Sequence, residues 1–96
     1  MTIESFLTLC EAETPPADLP DVLRALWFDK RGEWDKAHET IQENNDRKSA
    51  AIHAYLHRKE GDLWNARYWY NTAKKKPFEG SLDKEWEALA RELVAG

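Results

Sequence analysis

Apolar residues recur along this chain at spacings of three and four, and Pro and Gly interrupt the recurrence at only a few points. Ile3, Phe6, Leu7 and Cys10 occupy i, i+3, i+4 and i+7, with Thr2 placed to cap and Pro15-Pro16 beyond, which predicts a helix over 3–13. Val22, Leu23, Leu26 and Trp27 predict a second helix over 19–30, with Pro20 in its first turn and Gly32 as its stop. Trp34, Ala37, His38 and Ile41 predict a third over 33–43, closed by the turn residues Asn44-Asn45-Asp46. Ile52, Tyr55, Leu56 and Lys59 predict a fourth over 47–60, in which Ala50, Ala51 and Ala54 are small enough to admit a close neighbour. Leu63, Ala66, Tyr70 and Ala73 predict a fifth over 62–75, flanked by Trp64 and Tyr68, before Pro77 and Gly80. Ser81 opens a sixth over 82–95, where Leu82, Trp86, Leu89, Ala90, Leu93 and Val94 form the cleanest apolar stripe of the chain.

The connections at Gly32, Asn44–Asp46 and Gly61 are short enough to force each helix back along its predecessor. The expected fold is therefore all-α, about six helices in stacked antiparallel hairpins, as a single domain over 1–96. Its hairpin core spans about 19–78, helix 3–13 precedes it, and helix 82–95 caps it. Gly32-Glu-Trp-Asp-Lys-Ala37 and Gly61-Asp-Leu-Trp-Asn-Ala66 align at an offset of 29, an internal repeat of Gly, acid, large apolar residue and Ala.

These residues, with Ala25, Ala54, Tyr70, Ala73 and Pro77, resemble the tetratricopeptide and Sel1-like helical-hairpin repeats, and Trp69-Tyr70 resembles the Trp-Tyr of the Sel1-like class. The likeness covers about residues 21–78 and departs at Ile41 and Asn44 and in the shorter repeat length. It implies a right-handed helical array and a role in binding protein or peptide. The string from His57 to Tyr70 is also similar to a signature of small microbial proteins, a likeness that carries no activity with it.

Charge narrows the partners. Fourteen basic against eighteen acidic residues give a net charge of −4, and outside Lys74-Lys75-Lys76 the cations are scattered, so nucleic acid is not expected. Apolar runs such as Ala25–Phe28 fall far short of the roughly 20 residues of a membrane span. The sequence up to Arg24 lacks the basic start of a secretory signal, and the one cysteine, Cys10, excludes an internal disulfide. A cytoplasmic location is the expectation, with no cofactor.

All three histidines lie within 20 residues. His53, His57 and Glu60 share one face of the fourth helix. Counting register back through the turns brings His38 toward His53, and sets His57 level with Asn65 and His53 level with Trp69. The candidate site is thus His53, His57, Glu60, Asn65 and Trp69, with Arg67 as a partner for an anion. Two imidazoles and a carboxylate suit a divalent metal, and the same set suits proton transfer. No nucleophile, phosphate-loop or dinucleotide motif accompanies them, so enzyme activity is not the leading reading. Arg58 and Arg67 are expected to pair locally with Glu60 or Asp62. Trp64 and Tyr68, at i and i+4, are the candidate partner surface. The leading expectation is a protein- or peptide-interaction module or self-association, with a small-molecule or metal site as the alternative.

Overall fold

A computed structural model describes all 96 residues. It is all-α, with α1 (Ile3–Leu9), α2 (Asp21–Lys30), α3 (Trp34–Ile41), α4 (Arg47–Lys59), α5 (Leu63–Ala73) and α6 (Leu82–Ala95). Local chemistry sets most of the boundaries. Thr2, Asp46, Asp62 and Ser81 each accept the backbone N–H three residues on, satisfying donors that the first turn of a helix leaves unpaired.

The two repeat turns are the same structure. Gly32 and Gly61 have φ of 80° and 88°. Each donates its N–H to the carbonyl three residues back, while Glu33 and Asp62 donate to the carbonyls five residues back, at Phe28 and His57. This double closure needs a left-handed residue, which glycine supplies without a Cβ penalty. A third such turn ends α5: Lys74 and Lys75 donate to Asn71 and Tyr70, but the left-handed position is held by Lys74, at φ 61°. That is why α5 stops at Ala73 rather than at 75.

The first helix also ends earlier than its apolar spacing predicts. The carbonyl of Leu9 accepts the Trp27 indole N–H at 2.6 Å, and those of Cys10 and Ala12 accept Arg31 at 3.2 and 2.7 Å. Residues after Leu9 therefore spend their carbonyls on α2 rather than on further helical turns. Arg24 ties down the following Pro-rich segment in the same way, through the carbonyls of Pro16, Ala17 and Leu19. That loop delays the start of α2 to Asp21.

The closest helix pairs are α2 with α3 and α4 with α5, and α6 lies across α2 and α4 while touching α1. One hydrophobic cluster draws buried residues from all six helices. Trp86 of α6 joins three of them: it stacks on Phe6 at 5.9 Å, donates its indole N–H to the Leu26 carbonyl, and lies under Lys30. No helix is long and apolar enough to cross a membrane.

Two buried carboxylates brace the helices. Asp29 of α2 accepts the Tyr55 hydroxyl at 2.6 Å and the Lys59 ammonium at 2.9 Å. Glu85 of α6 accepts Arg58 at 2.8 Å and the Tyr70 hydroxyl. Arg58 thus reaches α6, 27 residues away, rather than Glu60 or Asp62 as local pairing predicts. Both acids are almost wholly buried and each has a cation and a phenol, the arrangement a buried charge requires. Burial and the adjoining carboxylates raise the ionisation of both tyrosines well above the ordinary phenol range.

Two predictions follow from this packing. Burying Trp86, Leu89 and Leu93 contributes roughly 1.5–3 kcal/mol each, together comparable with the total stability of a small domain. A chain of residues 1–80 should show no cooperative thermal transition by far-ultraviolet circular dichroism, and a sharp transition in that fragment would remove α6 from the core. Lys74→Gly should raise stability by about 1 kcal/mol in urea unfolding, because the left-handed turn costs a side chain about that much.

Candidate functional site

The site forms where α3, α4 and α5 meet. Trp34 opens α3 and donates its indole N–H to the Leu56 carbonyl at 2.8 Å, which fixes α3 against α4. One turn on, the His38 ring stacks on Trp34, 5.0 Å between centroids and 10° between planes. From α4, His53 and His57 lie a helical turn apart with rings 4.9 Å from each other. Trp69 of α5 covers His53 at 3.9 Å, nearly parallel. Two indoles therefore wall a cluster in which all three imidazoles touch: His38 lies 4.7 Å from His53 and 5.2 Å from His57.

The ring nitrogens converge. His53 Nε2 and His38 Nε2 are 3.0 Å apart, so one must carry a hydrogen and the other a lone pair. One ring nitrogen from each of His38, His53 and His57 lies within 4.8 Å of the other two. His57 Nδ1 donates to Glu60 Oε1 at 2.6 Å. In a neutral ring that bond leaves the lone pair on Nε2, the role a carboxylate plays behind many metal-bound histidines. His53 Nδ1 is buried with no hydrogen-bond partner.

The surroundings favour the neutral form of His53 and His38. Burial, and then the neighbouring His38 and His57, push His53 down to about 4. His38 is lowered as well, by burial first and by His57 second. Three imidazoles in contact cannot all be protonated without mutual repulsion.

The remaining candidates divide. Glu60 stands at the rim, exposed, and orients His57. Asn65 does not meet the histidines directly: it donates its backbone and side-chain N–H groups to Asp62, the latter at 2.6 Å, and these bonds hold the Asp62 carboxylate below its usual range. Asp62 in turn forms a second ligand group with His57 and Glu60. Arg67 lies elsewhere, in a groove with Leu63, Ala66 and Phe78. Trp64 and Tyr68 are 75% and 56% exposed, and Tyr68 meets the edge of Trp69 at 5.1 Å.

His38 stood outside the sequence-derived set, although the register count through Asn44–Asp46 pointed at it. In the structure it is a full member of the cluster. None of the five principal cavities is lined by a histidine. The rings pack against one another and against the two indoles. Comparison with protein-family models, with curated proteins and with solved structures gives no match.

The depressed histidines set a pH dependence. An unfolded histidine titrates near 6.5. Between pH 6.5 and about 4 the unfolded chain therefore takes up a proton that folded His53 refuses. Stability from this residue is complete above pH 6.5 and declines as pH falls toward 4, by at most about 1.4 kcal/mol per pH unit. In urea unfolding at pH 4–7.5 with a chelator present, the parent protein should lose stability more steeply than His53→Gln; parallel profiles would show that the ring is not held neutral.

Proposed function

We propose that this protein binds a divalent transition-metal ion through His38, His53 and His57. The observation that carries the reading is the convergence of three imidazole nitrogens within 4.8 Å of one another. Nitrogens bound at 2.0–2.1 Å to one tetrahedral ion stand about 3.3 Å apart, and the His38 and His53 Nε2 atoms are already at 3.0 Å. Small side-chain movements would complete the set.

The surroundings support the same reading. Ligand histidines must be deprotonated, and the burial that depresses His53 and His38 supplies that state without metal. Glu60 fixes the orientation of His57 from behind. A ligand set of imidazoles alone, with Cys10 far along the chain in a different part of the core, suits zinc, copper or nickel rather than calcium or magnesium. Three protein ligands leave a coordination position for water.

The test is thermal unfolding with Zn2+, Co2+, Ni2+ and Cu2+, each against a chelated control. An ion present at 100 times its Kd contributes about 2.7 kcal/mol. For a chain of this size that is a Tm increase on the order of 10–20 °C. His38→Ala and His57→Ala should abolish the increase, and Glu60→Gln should weaken binding about 10–100-fold. No increase with any of the four ions, or one that persists in the double alanine variant, would overturn the reading.

A further inference from the structure

Away from the histidines, three adjoining cavities line up along α5, the segment 74–80 and α6. The first, about 220 Å³, has Ala66, Tyr70 and Phe78 in its lining. The second, about 140 Å³, shares Tyr70 and Phe78 with it and continues over Leu89. The third, about 250 Å³, shares Ala51 and Leu89 with the second and ends at Leu93. The floor of this groove is largely apolar, interrupted by the buried pair of Tyr70 and Glu85.

Its rim is cationic. Arg58 and Arg67 border the first cavity, Lys75 and Lys76 the second, and Arg47 and Lys48 the third. Only two acids line the groove, Glu85 and Glu92, and both are already paired, with Arg58 and with Lys75. Arg47, Arg67 and Lys76 have no acidic partner within 4 Å, while Lys48 donates to the Gly96 oxygen at 2.7 Å. Six of the fourteen basic residues of a chain with net charge −4 thus face one groove. They come from segments 47–48, 58–67 and 75–76, and so look scattered in the sequence.

We infer that this groove binds an extended acidic segment of another protein, with apolar side chains seated on the Tyr70–Phe78–Leu89 floor and carboxylates on the three uncompensated cations Arg47, Arg67 and Lys76. Charge complementarity selects the occupant. An apolar floor favours a peptide over a phosphate backbone, which would gain nothing from Phe78 and Leu93 and would approach a molecule of net negative charge. A purely apolar partner would leave three charges partly desolvated without a counter-ion, which disfavours it. Helix α6 is about 21 Å long, so about six or seven extended residues cover the groove. The inference is independent of the metal site, since no groove residue belongs to the histidine cluster.

The experiment uses the full chain and a fluorescein-labelled heptapeptide, Asp-Leu-Glu-Phe-Glu-Leu-Asp, against its amide counterpart Asn-Leu-Gln-Phe-Gln-Leu-Asn. Fluorescence anisotropy should show the acidic peptide binding at least tenfold more tightly, and raising salt from 50 to 500 mM should reduce the difference. The double variant Arg67→Glu/Lys76→Glu should weaken the acidic peptide tenfold or more with unchanged Tm, while Lys36→Gln, on α3, should leave it unaffected. In 15N-edited spectra the shifted amides should fall along residues 66–78 and 88–93. Equal binding of the two peptides, indifference to the charge reversal, shifts elsewhere, or tighter binding of single-stranded oligothymidylate than of the acidic peptide would each overturn the inference.

Discussion

Nine consecutive residues of α4, from Ser49 to His57, are buried, and the rest of the structure is arranged around that constraint. A helix covered on every side has no solvent face on which to place polar groups. Ser49 turns to the capping carboxylate of Asp46. Tyr55 and Lys59 meet Asp29, Arg58 meets Glu85, and His53 and His57 meet each other and His38. Buried ion pairs of this kind add little net stability compared with a well-packed apolar core, because desolvation consumes most of the attraction. What they fix is orientation. With Asp29 on α2 and Glu85 on α6 each demanding its own cation from α4, only one rotation of α4 satisfies both. That rotation points His53 and His57 at α3 and α5.

Helix α5 separates the histidine cluster from the basic groove by a single residue step. Trp69 lies on His53, whereas Tyr70, about 100° further around the helix, reaches Glu85 and lines the groove. The same helix therefore walls the histidine cluster on one side and floors the basic groove on the other. Its outer face, with Leu63, Trp64 and Tyr68 exposed, is left to solvent. Because Trp69 and Tyr70 share a backbone, a displacement of α5 at either surface is felt at the other.

The parts of this arrangement that were legible in the sequence are those fixed by local chemistry. Helix periodicity and caps are short-range, so six helices and the Thr2, Asp46 and Ser81 caps follow directly. Register through a tight turn is also short-range, which is why counting across Asn44–Asp46 brought His38 to His53 and counting across Gly61 brought Trp69 over it. The rest depends on how distant helices lie against one another. Periodicity puts Glu85 on the stripe of Leu82 and Leu89, unlike the exposed Glu87, but nothing local names Arg58 and Tyr70 as the partners that bury it. The groove was illegible for the same reason: its cations converge only after α6 is laid beside α4 and α5. The early end of α1 was lost to a competitor outside the helix, the donors of Trp27 and Arg31.

A cluster of three histidines could serve packing alone, and the energetics argue against it. Packing would be met as well by leucine or phenylalanine, which bring no polar atoms into the core. Here the protein spends one nitrogen of each ring on a hydrogen bond, His38 and His53 with each other and His57 with Glu60, and leaves His53 Nδ1 buried without a protein partner. An orphaned buried nitrogen costs about 1–3 kcal/mol, a large share of the stability of a domain this small. The cluster also sacrifices stability in acid, since its rings resist protonation. The acid sensitivity attaches to rings whose Nε2 atoms meet at 3.0 Å, and under the proposed reading a cation held between those nitrogens gives the arrangement a reason that packing by itself does not.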